Sequence, residues 1–462
     1  MRIVDMQTGR EVTLKLWDGA KWEPARGFGE DTKRQRVVRP PSGPVKNVIG
    51  GGAYMNSPVT SGVETGSLVA ARLPVVVDVK NPVAEFDVQM TDKVARVVEL
   101  RAAVAVGDEP PVPVTFDGGK PAARLERPGT GGIVHVKTDP LPISANAGEV
   151  INWYGFTGAP EGGRPQGDSV GYLPGVDAWA SSGATFEAAW NGVRVTGGSN
   201  ESTPMIPGAR PARILAPTDQ PAWVLTGDSI MHFSRPHVQR WAISAGVAWA
   251  KNATGGRNFI HATQEYDTLY RPSVQSATMC FDELGINGAD QRLGMEHWRK
   301  LRADGIKGIV KSTLTPQTSS RDGWRTVEGQ TATSDVAGFL KWDAWLLDGA
   351  PMKRDWSAVA EAGATGEDIV RCAVVDGDGK LVRKGDPAHI FGTGGVVDWN
   401  PCVSQAGAVE GGSRRIWRMD LGLQSADYGD GLHPGNGVHE VMAGYLKKAM
   451  PVVLAPNARM EV

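Results

Sequence analysis

The tripeptide Gly227-Asp228-Ser229 follows the apolar run AWVLT and is the first stretch whose residue types could do chemistry. A serine at the end of a strand can act as a nucleophile when a base takes its proton, another group orients that base and donors stabilise the oxyanion. The same tripeptide is also typical of an ordinary strand-to-loop turn. The role of Ser229 therefore depends on partners elsewhere in the chain.

A candidate base lies near the C-terminus, in the stretch YGDGLHPGNG. Asp430 and His433 are separated by two residues, and Pro434 and Gly435 follow them. A loop with this spacing can fold back so that the carboxylate holds one imidazole nitrogen while the other nitrogen faces a nucleophile. A loop that precedes a helix and carries a surface histidine is the alternative interpretation.

Two other stretches supply candidate donors for an oxyanion. DELGINGAD contains Asn287, whose side-chain amide can donate a hydrogen bond to developing negative charge. NATGGRNF contains Gly256, which is favoured over Gly255, and a residue without a side chain lets its backbone N–H approach a substrate closely. Each of these residues could instead belong to a plain turn.

Alternating strands and helices from residue 216 onward must position these residues. Apolar runs at 222–228, 247–252, 276–284 and 305–314 predict strands, and amphipathic runs at 235–244, 288–305, 334–349 and 435–450 predict helices. Such alternation predicts a parallel sheet with helices on both faces and an active site at the carboxyl ends of the strands. The run RRIWRMDLG predicts a late strand, and the glycines of FGTGGVVDW at 391–399 predict a lid over the site.

The chain before residue 216 has a different pattern. Residues 63–215 contain short runs rich in β-branched residues, separated by glycine, asparagine and aspartate turns, which predict an all-β sandwich. Residues 1–62 predict an irregular linker or anchoring segment, with a hairpin at KLWDGAKWEPA followed by a charged, Pro- and Gly-rich stretch. The predicted domains are therefore 1–62, 63–215 and 216–462.

Composition excludes several classes of function. The formal net charge of −2 lacks the basic excess of nucleic-acid binders, so we expect no nucleic-acid partner. The N-terminus lacks the apolar core of a signal peptide and the apolar runs are too short to enter a membrane, so we expect synthesis in the cytoplasm without membrane insertion. Cys280, Cys372 and Cys402 have no metal-ligand spacing. His232 and His237 lack acidic or cysteine partners in sequence, so we expect them to flank the active-site mouth and we expect no metal or cofactor.

A serine follows the first predicted strand, a glycine the second and an asparagine the third, and Asp-x-x-His precedes the last helix. This order of residues resembles that of the SGNH hydrolase (GDSL esterase/lipase) superfamily. The resemblance covers about residues 220–452. It implies a flavodoxin-like, three-layer α/β/α domain in which Ser229 is the nucleophile, His433 the base and Asp430 its orienting carboxylate. The amides of Ser229 and Gly256 and the side chain of Asn287 would form the oxyanion hole.

Two residues depart from the family pattern. Gly288 stands where an aspartate usually follows the block asparagine, and Ile230 stands where leucine is typical. The first change puts the supporting hydrogen bonds in question rather than the chemistry.

The resemblance implies a serine esterase that acts through an acyl-enzyme. The sequence has no long apolar stretch that suggests a lipid-binding channel, so we expect a small acyl group such as acetyl. A sandwich ahead of such a domain is similar to bacterial carbohydrate esterases, and the 15 tryptophans suit stacking on sugars or core packing. We therefore expect an O-acetylated surface polysaccharide as substrate and a jelly-roll-like, carbohydrate-binding sandwich. The constellation equally fits a lipase or a thioesterase.

A second hypothesis is a phage tail or virion component that binds a host surface glycan. KLWDGAKW is similar to segments of phage tail proteins. Residues 1–60 would then bind virion or tail proteins, and the chain would form a homo-oligomer within the particle.

Overall fold

The computed structural model describes residues 3–4, 11–12, 15–17, 22–24, 43–53, 57–58, 66–91, 95–129, 131–161, 166–167, 177–181, 210–232, 237–332, 336–405, 416–418, 431–455 and 458–459. Among these residues, no helix has the length and apolar character needed to cross a membrane.

The strands of the two main sheet systems are, in chain order, β1 (Val45–Asn47), β2 (Gly50–Ala53), β3 (Gly66–Pro74), β4 (Val83–Thr91), β5 (Val97–Val106), β6 (Val112–Pro113), β7 (Ala123–Glu126), β8 (Gly131–Lys137), β9 (Val150–Gly158), β10 (Asp177–Ser181), β11 (Arg213–Pro217), β12 (Ala222–Gly227), β13 (Ala248–Ala253), β14 (Met279–Asp282), β15 (Gly308–Ser312), β16 (Ala373–Val375), β17 (Leu381–Arg383) and β18 (Gly395–Val397). The helices are α1 (Ser229–His232), α2 (His237–Ala245), α3 (Phe259–Gln264), α4 (Arg271–Gln275), α5 (Gln291–Ala303), α6 (Val336–Leu347), α7 (Asn400–Val403) and α8 (Asn436–Val453), and a π-helical turn, Tyr266–Tyr270, joins α3 to α4. Short two-stranded pairs complete the described chain: Ile3–Val4 with Glu11–Val12, Lys15–Trp17 with Trp22–Pro24, Ser57–Pro58 with Gln166–Gly167, Val79–Lys80 with Ser144–Ala145, Thr318–Ser320 with Gln330–Ala332, Met352–Lys353 with Ile369–Val370, and Ser404–Gln405 with Ile416–Trp417.

Eight strands form one largely parallel sheet in the order β17-β16-β18-β15-β14-β12-β13-β2. The pair β16–β17 is antiparallel and the other neighbours are parallel. The first four strands after residue 216 stand in the order 2-1-3-4, which is the order of flavodoxin-like doubly wound sheets. The parallel α/β sheet that the sequence predicts from residue 216 onward is therefore confirmed.

Helices cover both faces of this sheet, which explains why its central strands read as continuous apolar runs. On one face, Val224 packs with residues of α3, α5 and α6. On the other face, Trp223 and Leu225 pack with residues of α2 and α8. Successive residues of β12 thus alternate between two hydrophobic cores, as the period of two in a strand requires.

Two antiparallel sheets precede the parallel sheet. One has the order β8-β4-β11-β1, and the other has the order β6-β5-β9-β3-β10 with β7 paired to β5. They share one hydrophobic core, in which the ring centroids of Phe86 and Trp153 are 5.5 Å apart. The all-β character expected for this region agrees with the structure, whereas its jelly-roll topology and carbohydrate-binding role stay predictions.

Part of the segment expected to be irregular forms strands of both sheet systems. β1 pairs antiparallel with β11, and β2 pairs parallel with β13. Only Val48 and Ile49 separate β1 from β2, and both are fully buried. The sequence GGGA of β2 has no apolar alternation that would predict a strand, and its pairing comes from the backbone of β13. The domain boundaries themselves stay predictions.

The first residues of the chain bear on the virion hypothesis. Lys15–Trp17 pairs antiparallel with Trp22–Pro24, as expected for the hairpin, while its turn at Asp18 and Gly19 lies outside the described residues. Binding of virion or tail proteins through residues 1–60, and a homo-oligomer, stay predictions.

The prediction of a lid at 391–399 is wrong. Gly395–Val397 is the central strand β18, paired with both β15 and β16. A Cβ atom on Gly394 would lie 1.9 Å from the carbonyl oxygen of Ile309, so glycine there allows close backbone packing rather than movement. Of the predicted late strand, the structure describes Ile416–Trp417 as a strand, which pairs antiparallel with Ser404–Gln405 outside the parallel sheet.

Candidate active site

Ser229 is the first residue of α1 and comes two residues after the end of β12. The turn is tight, because a Cβ atom on Gly227 would lie 2.7 Å from Cβ of Met231. Asp228 stabilises it from within, since its Oδ1 accepts a hydrogen bond of 3.0 Å from the backbone N–H of Ile230. Ser229, only 7% exposed, is thereby fixed at the carboxyl edge of the sheet, beside the point where the strand order reverses.

The loop that follows β13 comes next to Ser229. The backbone N–H of Thr254 donates to the carbonyl oxygen of Gly227 over 3.4 Å. A Cβ atom on Gly255 would lie 3.9 Å from Cβ of Ser229, whereas the corresponding position on Gly256 has no neighbour within 4 Å. Gly256 has a φ of +74°, which favours glycine. Gly255, the less favoured of the two in sequence, is therefore the glycine at which an added Cβ atom would come within van der Waals distance of Ser229.

Asn287 lies in the loop that follows β14 and is half-buried. Its side-chain Nδ2 donates a hydrogen bond of 3.0 Å to the carbonyl oxygen of Arg257. In return, Nδ2 of Asn258 lies 3.5 Å from the carbonyl oxygen of Asn287. These two bonds join the loops after the second and third strands, which are the two loops that the sequence predicts to supply oxyanion donors.

His433 lies in the loop that leads into α8, and Asp430 lies outside the described residues. The loop is anchored at Gly431, whose carbonyl oxygen accepts hydrogen bonds from the backbone N–H of Thr318 at 3.0 Å and from Nε1 of Trp417 at 2.8 Å. Gly431 has a φ of +70°, and a Cβ atom there would lie 1.8 Å from the carbonyl oxygen of Thr318. Sequence reasoning missed Thr318 and Trp417, and the glycine inside the Asp-x-x-His block is the one signal that could have indicated this anchor.

A layer of buried charged groups lies at the same edge of the sheet. Lys311 is fully buried, and its Nζ donates to the carbonyl oxygens of Asp282 at 3.1 Å and Leu284 at 2.6 Å. Asp282 accepts a hydrogen bond of 2.7 Å from Nε1 of Trp298. Burial raises the pKa of the Asp228 carboxyl group well above its usual range, and the nearby Glu283 acts in the same direction.

The expectation that His232 and His237 flank the active-site mouth is wrong for His237. His237 is fully buried, because α2 packs against α8 and turns the first residue of α2 inward. His232 is half-buried, and its Nδ1 lies 3.0 Å from the carbonyl oxygen of Ala253. Burial lowers the pKa of His232 to about 4 and that of His237 to about 3, so both rings are neutral. No cluster of three or more histidine, cysteine, aspartate or glutamate side chains in the described part of the chain is arranged to hold a metal ion.

Several tryptophans that could have contacted a sugar pack in the cores instead. The fully buried ones are Trp153, Trp249, Trp298, Trp342, Trp345 and Trp399. Hydrophobic burial of these large rings explains much of the tryptophan content without a ligand.

No model of a known protein family matches the sequence, and no curated protein sequence matches it. Among solved structures, the chain is similar to a carbohydrate esterase family 2 enzyme with a carbohydrate binding domain from Corynascus thermopiles (Myceliophthora fergusii), at 12% identity over 89% of this chain and 99% of that one, with a TM-score of 0.30. A family two carbohydrate esterase from Cellvibrio japonicus matches at 10% identity over 90% of this chain and 96% of that one, with a TM-score of 0.26. A protein from Parabacteroides merdae described as a GDSL-like lipase matches at 12% identity over 50% of this chain and 96% of its own, with a TM-score of 0.27. Each of these TM-scores is below 0.5, and the function proposed below rests on the residues of this chain.

Proposed function

We propose that the protein is a serine esterase whose nucleophile is Ser229. The observation that carries this proposal is the position of Ser229 after the end of β12, beside Gly255 in the next loop, which is in turn hydrogen-bonded to Asn287 through the carbonyl oxygen of Arg257. Three separate stretches of sequence thus supply a nucleophile and candidate oxyanion donors to one edge of the sheet, which is where doubly wound proteins place their active sites.

The proposed reaction is acyl transfer to water. Oγ of Ser229 attacks the ester carbonyl carbon while His433 accepts the hydroxyl proton, and Asp430 orients the imidazole ring. The tetrahedral intermediate collapses when the C–O bond to the alcohol breaks and His433 returns the proton to the departing oxygen. Water, deprotonated by the same histidine, then attacks the acyl carbon. The bond between the acyl carbon and Oγ of Ser229 breaks, His433 returns the proton to Oγ, and the acid departs.

The backbone amides of Ser229 and Gly256 and the side chain of Asn287 are the proposed oxyanion donors. The bond from Asn287 to the Arg257 carbonyl uses one N–H of the amide and fixes its plane. The second N–H of the same nitrogen can then donate to the oxyanion without further reorganisation, which is the condition for effective electrostatic stabilisation.

We propose a small acyl group, such as acetyl, on a surface polysaccharide as the substrate. The two antiparallel sheets that precede the parallel sheet support a carbohydrate substrate, since a sandwich in this position can present a second sugar-binding surface. Acetate release from a panel of acetylated glycans, compared with long-chain acyl esters and thioesters, separates this substrate from those of lipases and thioesterases.

Active-site labelling tests the proposed function. A fluorophosphonate should form a covalent adduct on the peptide that contains Ser229, because only an activated serine reacts with this class of probe at neutral pH. Peptide mapping by mass spectrometry locates the adduct. Labelling of a different serine, or of none in an enzyme that hydrolyses an aryl acetate, contradicts the proposal.

A second prediction concerns the side-chain amide of Asn287, the proposed oxyanion donor. Asn287→Ala should lower kcat by about 10²-fold with little change in KM, since such a donor acts mainly on the transition state. Steady-state kinetics on an aryl acetate measure both constants. Asn146→Ala, in the loop between β8 and β9 of the other sheet system, is the matched control and should leave kcat unchanged. Equal effects of the two substitutions would exclude Asn287 from the oxyanion hole.

A further inference from the structure

A hairpin of residues 318–332 holds the loop that carries His433. The backbone N–H of Thr318 and Nε1 of Trp417 both donate to the carbonyl oxygen of Gly431, at 3.0 and 2.8 Å. Thr318 is 1% exposed and Trp417 is 6% exposed, so both donors are shielded from water. The carbonyl group two residues before His433 is therefore fixed by two buried hydrogen bonds.

Gln330, on the second strand of this hairpin, fixes the position of Trp417. Oε1 of Gln330 accepts a hydrogen bond of 3.0 Å from the backbone N–H of Trp417, and Nε2 of Gln330 donates one of 3.0 Å to the carbonyl oxygen of Trp417. One buried side chain thus holds both main-chain polar groups of Trp417. A donor whose backbone is already fixed loses little further conformational entropy when its indole N–H binds Gly431.

The ring of Trp324 packs against the same glycine. A Cβ atom on Gly431 would lie 2.6 Å from Cζ2 of Trp324. Nε1 of Trp324 donates to Oγ1 of Thr318 over 2.9 Å, and its backbone N–H donates to Oγ of Ser320 over 2.7 Å. Trp324 has a φ of +56°, a conformation that residues other than glycine rarely adopt. Such strain persists only where the surrounding contacts impose it, and here they hold the ring against the loop of His433.

We propose that Trp417 and Trp324 are positioning residues for His433, and that both act through Gly431. Trp417 holds the carbonyl oxygen of Gly431, and Trp324 fills the space beside its Cα. Because Gly431 precedes His433 by two residues, a shift of this glycine would move the imidazole ring as well. A misplacement of about 1 Å in a catalytic group can cost about 10²-fold in rate. The effect on catalysis rests on the function proposed above, whereas the anchoring of the loop does not.

Trp417→Phe tests the proposal, because it removes the N–H donor and keeps an aromatic ring in the core. For an aryl acetate, kcat should fall about tenfold while KM changes by less than about twofold, since the substrate still binds and only the base is displaced. Hydrogen exchange followed by mass spectrometry reports on the loop itself. Exchange in the peptide that contains residues 431–435 should be at least about tenfold faster in the variant than in wild type.

Trp356→Phe is the matched control. Nε1 of Trp356 also donates a hydrogen bond of 2.8 Å to a backbone carbonyl oxygen, that of Ala388, and the φ of Trp356 is +59°. This bond joins two residues outside both the hairpin and the loop of His433. Whatever W356F does to Tm, it should leave kcat and the exchange of residues 431–435 unchanged.

Gly431→Ala displaces the loop without removing any hydrogen-bonding side chain, and it tests the proposal even if W417F does not fold. Its Cβ atom would lie 1.8 Å from the carbonyl oxygen of Thr318, so the loop has to move. We expect kcat to fall at least about a hundredfold, with KM within about threefold of wild type. A Gly431→Ala enzyme with the kcat of wild type contradicts the proposal.

Three further outcomes overturn it: equal loss of kcat in W417F and W356F, wild-type exchange over 431–435 in W417F, or a raised KM at unchanged kcat. A raised KM alone would mean that the loop binds substrate and does not position the base. If W417F accelerates exchange over 431–435 but Ser229 of wild type does not react with a fluorophosphonate, the anchoring by Trp417 stands and the esterase function fails. Exchange and labelling therefore distinguish the two proposals.

Discussion

Ser229→Ala should reduce kcat for an aryl acetate by on the order of 10⁴-fold or more, because covalent catalysis has no substitute nucleophile in the proposed mechanism. The fold should stay intact. Ser229 occupies the first position of α1, and alanine there keeps the turn formed by Gly227 and the side chain of Asp228. Circular dichroism and the thermal midpoint should therefore match wild type, while spectrophotometric hydrolysis of the aryl acetate falls to near the uncatalysed rate.

The matched control for this substitution is Ser244→Ala. Ser244 is exposed near the end of α2, and its hydroxyl donates to the carbonyl oxygen of Trp241 within the same helix. Ser244→Ala makes the same chemical change as Ser229→Ala at a position outside the proposed site, and it should leave kcat unaltered. A Ser229→Ala enzyme that keeps substantial activity contradicts the assignment of the nucleophile, and with it the proposed acyl-enzyme.

His433→Ala should produce the second large loss, on the order of 10³- to 10⁴-fold in kcat, because the serine hydroxyl then has no base to accept its proton. The dependence of kcat/KM on histidine ionisation should disappear from the acid side of the pH profile. Added imidazole should restore part of the activity, since His433 is half-buried and its loss leaves space open to a small base. Initial rates measured over a pH series, with and without imidazole, give all three results.

His135→Ala serves as the control for the histidine substitution. His135 lies on β8, where its Nδ1 is 2.9 Å from Oδ1 of Asp87, and it has no part in the proposed reaction. Its replacement should not change the pH profile and should not create imidazole dependence. A His433→Ala enzyme with an unchanged acid limb would show that another group acts as the base.

The parallel sheet and the order of the candidate residues could be predicted from sequence because both depend on local patterns. Buried strands such as β12 and β14 are short apolar runs, and the chain places Ser229 and Asn287 directly after such runs. The strand β2 could not be predicted, because three glycines carry no pattern of burial. The prediction of a lid at 391–399 was wrong for a related reason. Glycine occurs both in mobile loops and at close backbone contacts, and only the packing against Ile309 distinguishes these two cases.

The buried contact between His237 and His439 was also beyond prediction. His237 and His439 are 202 positions apart in the chain. A lone histidine at the start of a helix is typical of a surface, and only the packing of α2 against α8 shows that this one is interior. Long-range pairing of buried polar groups thus carries information that periodicity and motif spacing do not contain.

The short connection between β1 and β2 joins the two sheet systems and limits where the chain could be cut into fragments. The chain crosses from one system to the other at Val48 and Ile49 and again between β11 and β12, and Arg213 adds a buried hydrogen bond of 2.9 Å to Ser273 of α4. A fragment that starts at residue 216 would lack one strand of the parallel sheet, and β13 would become an open edge able to pair with other molecules. We therefore expect a fragment that keeps the parallel sheet complete to begin before residue 45.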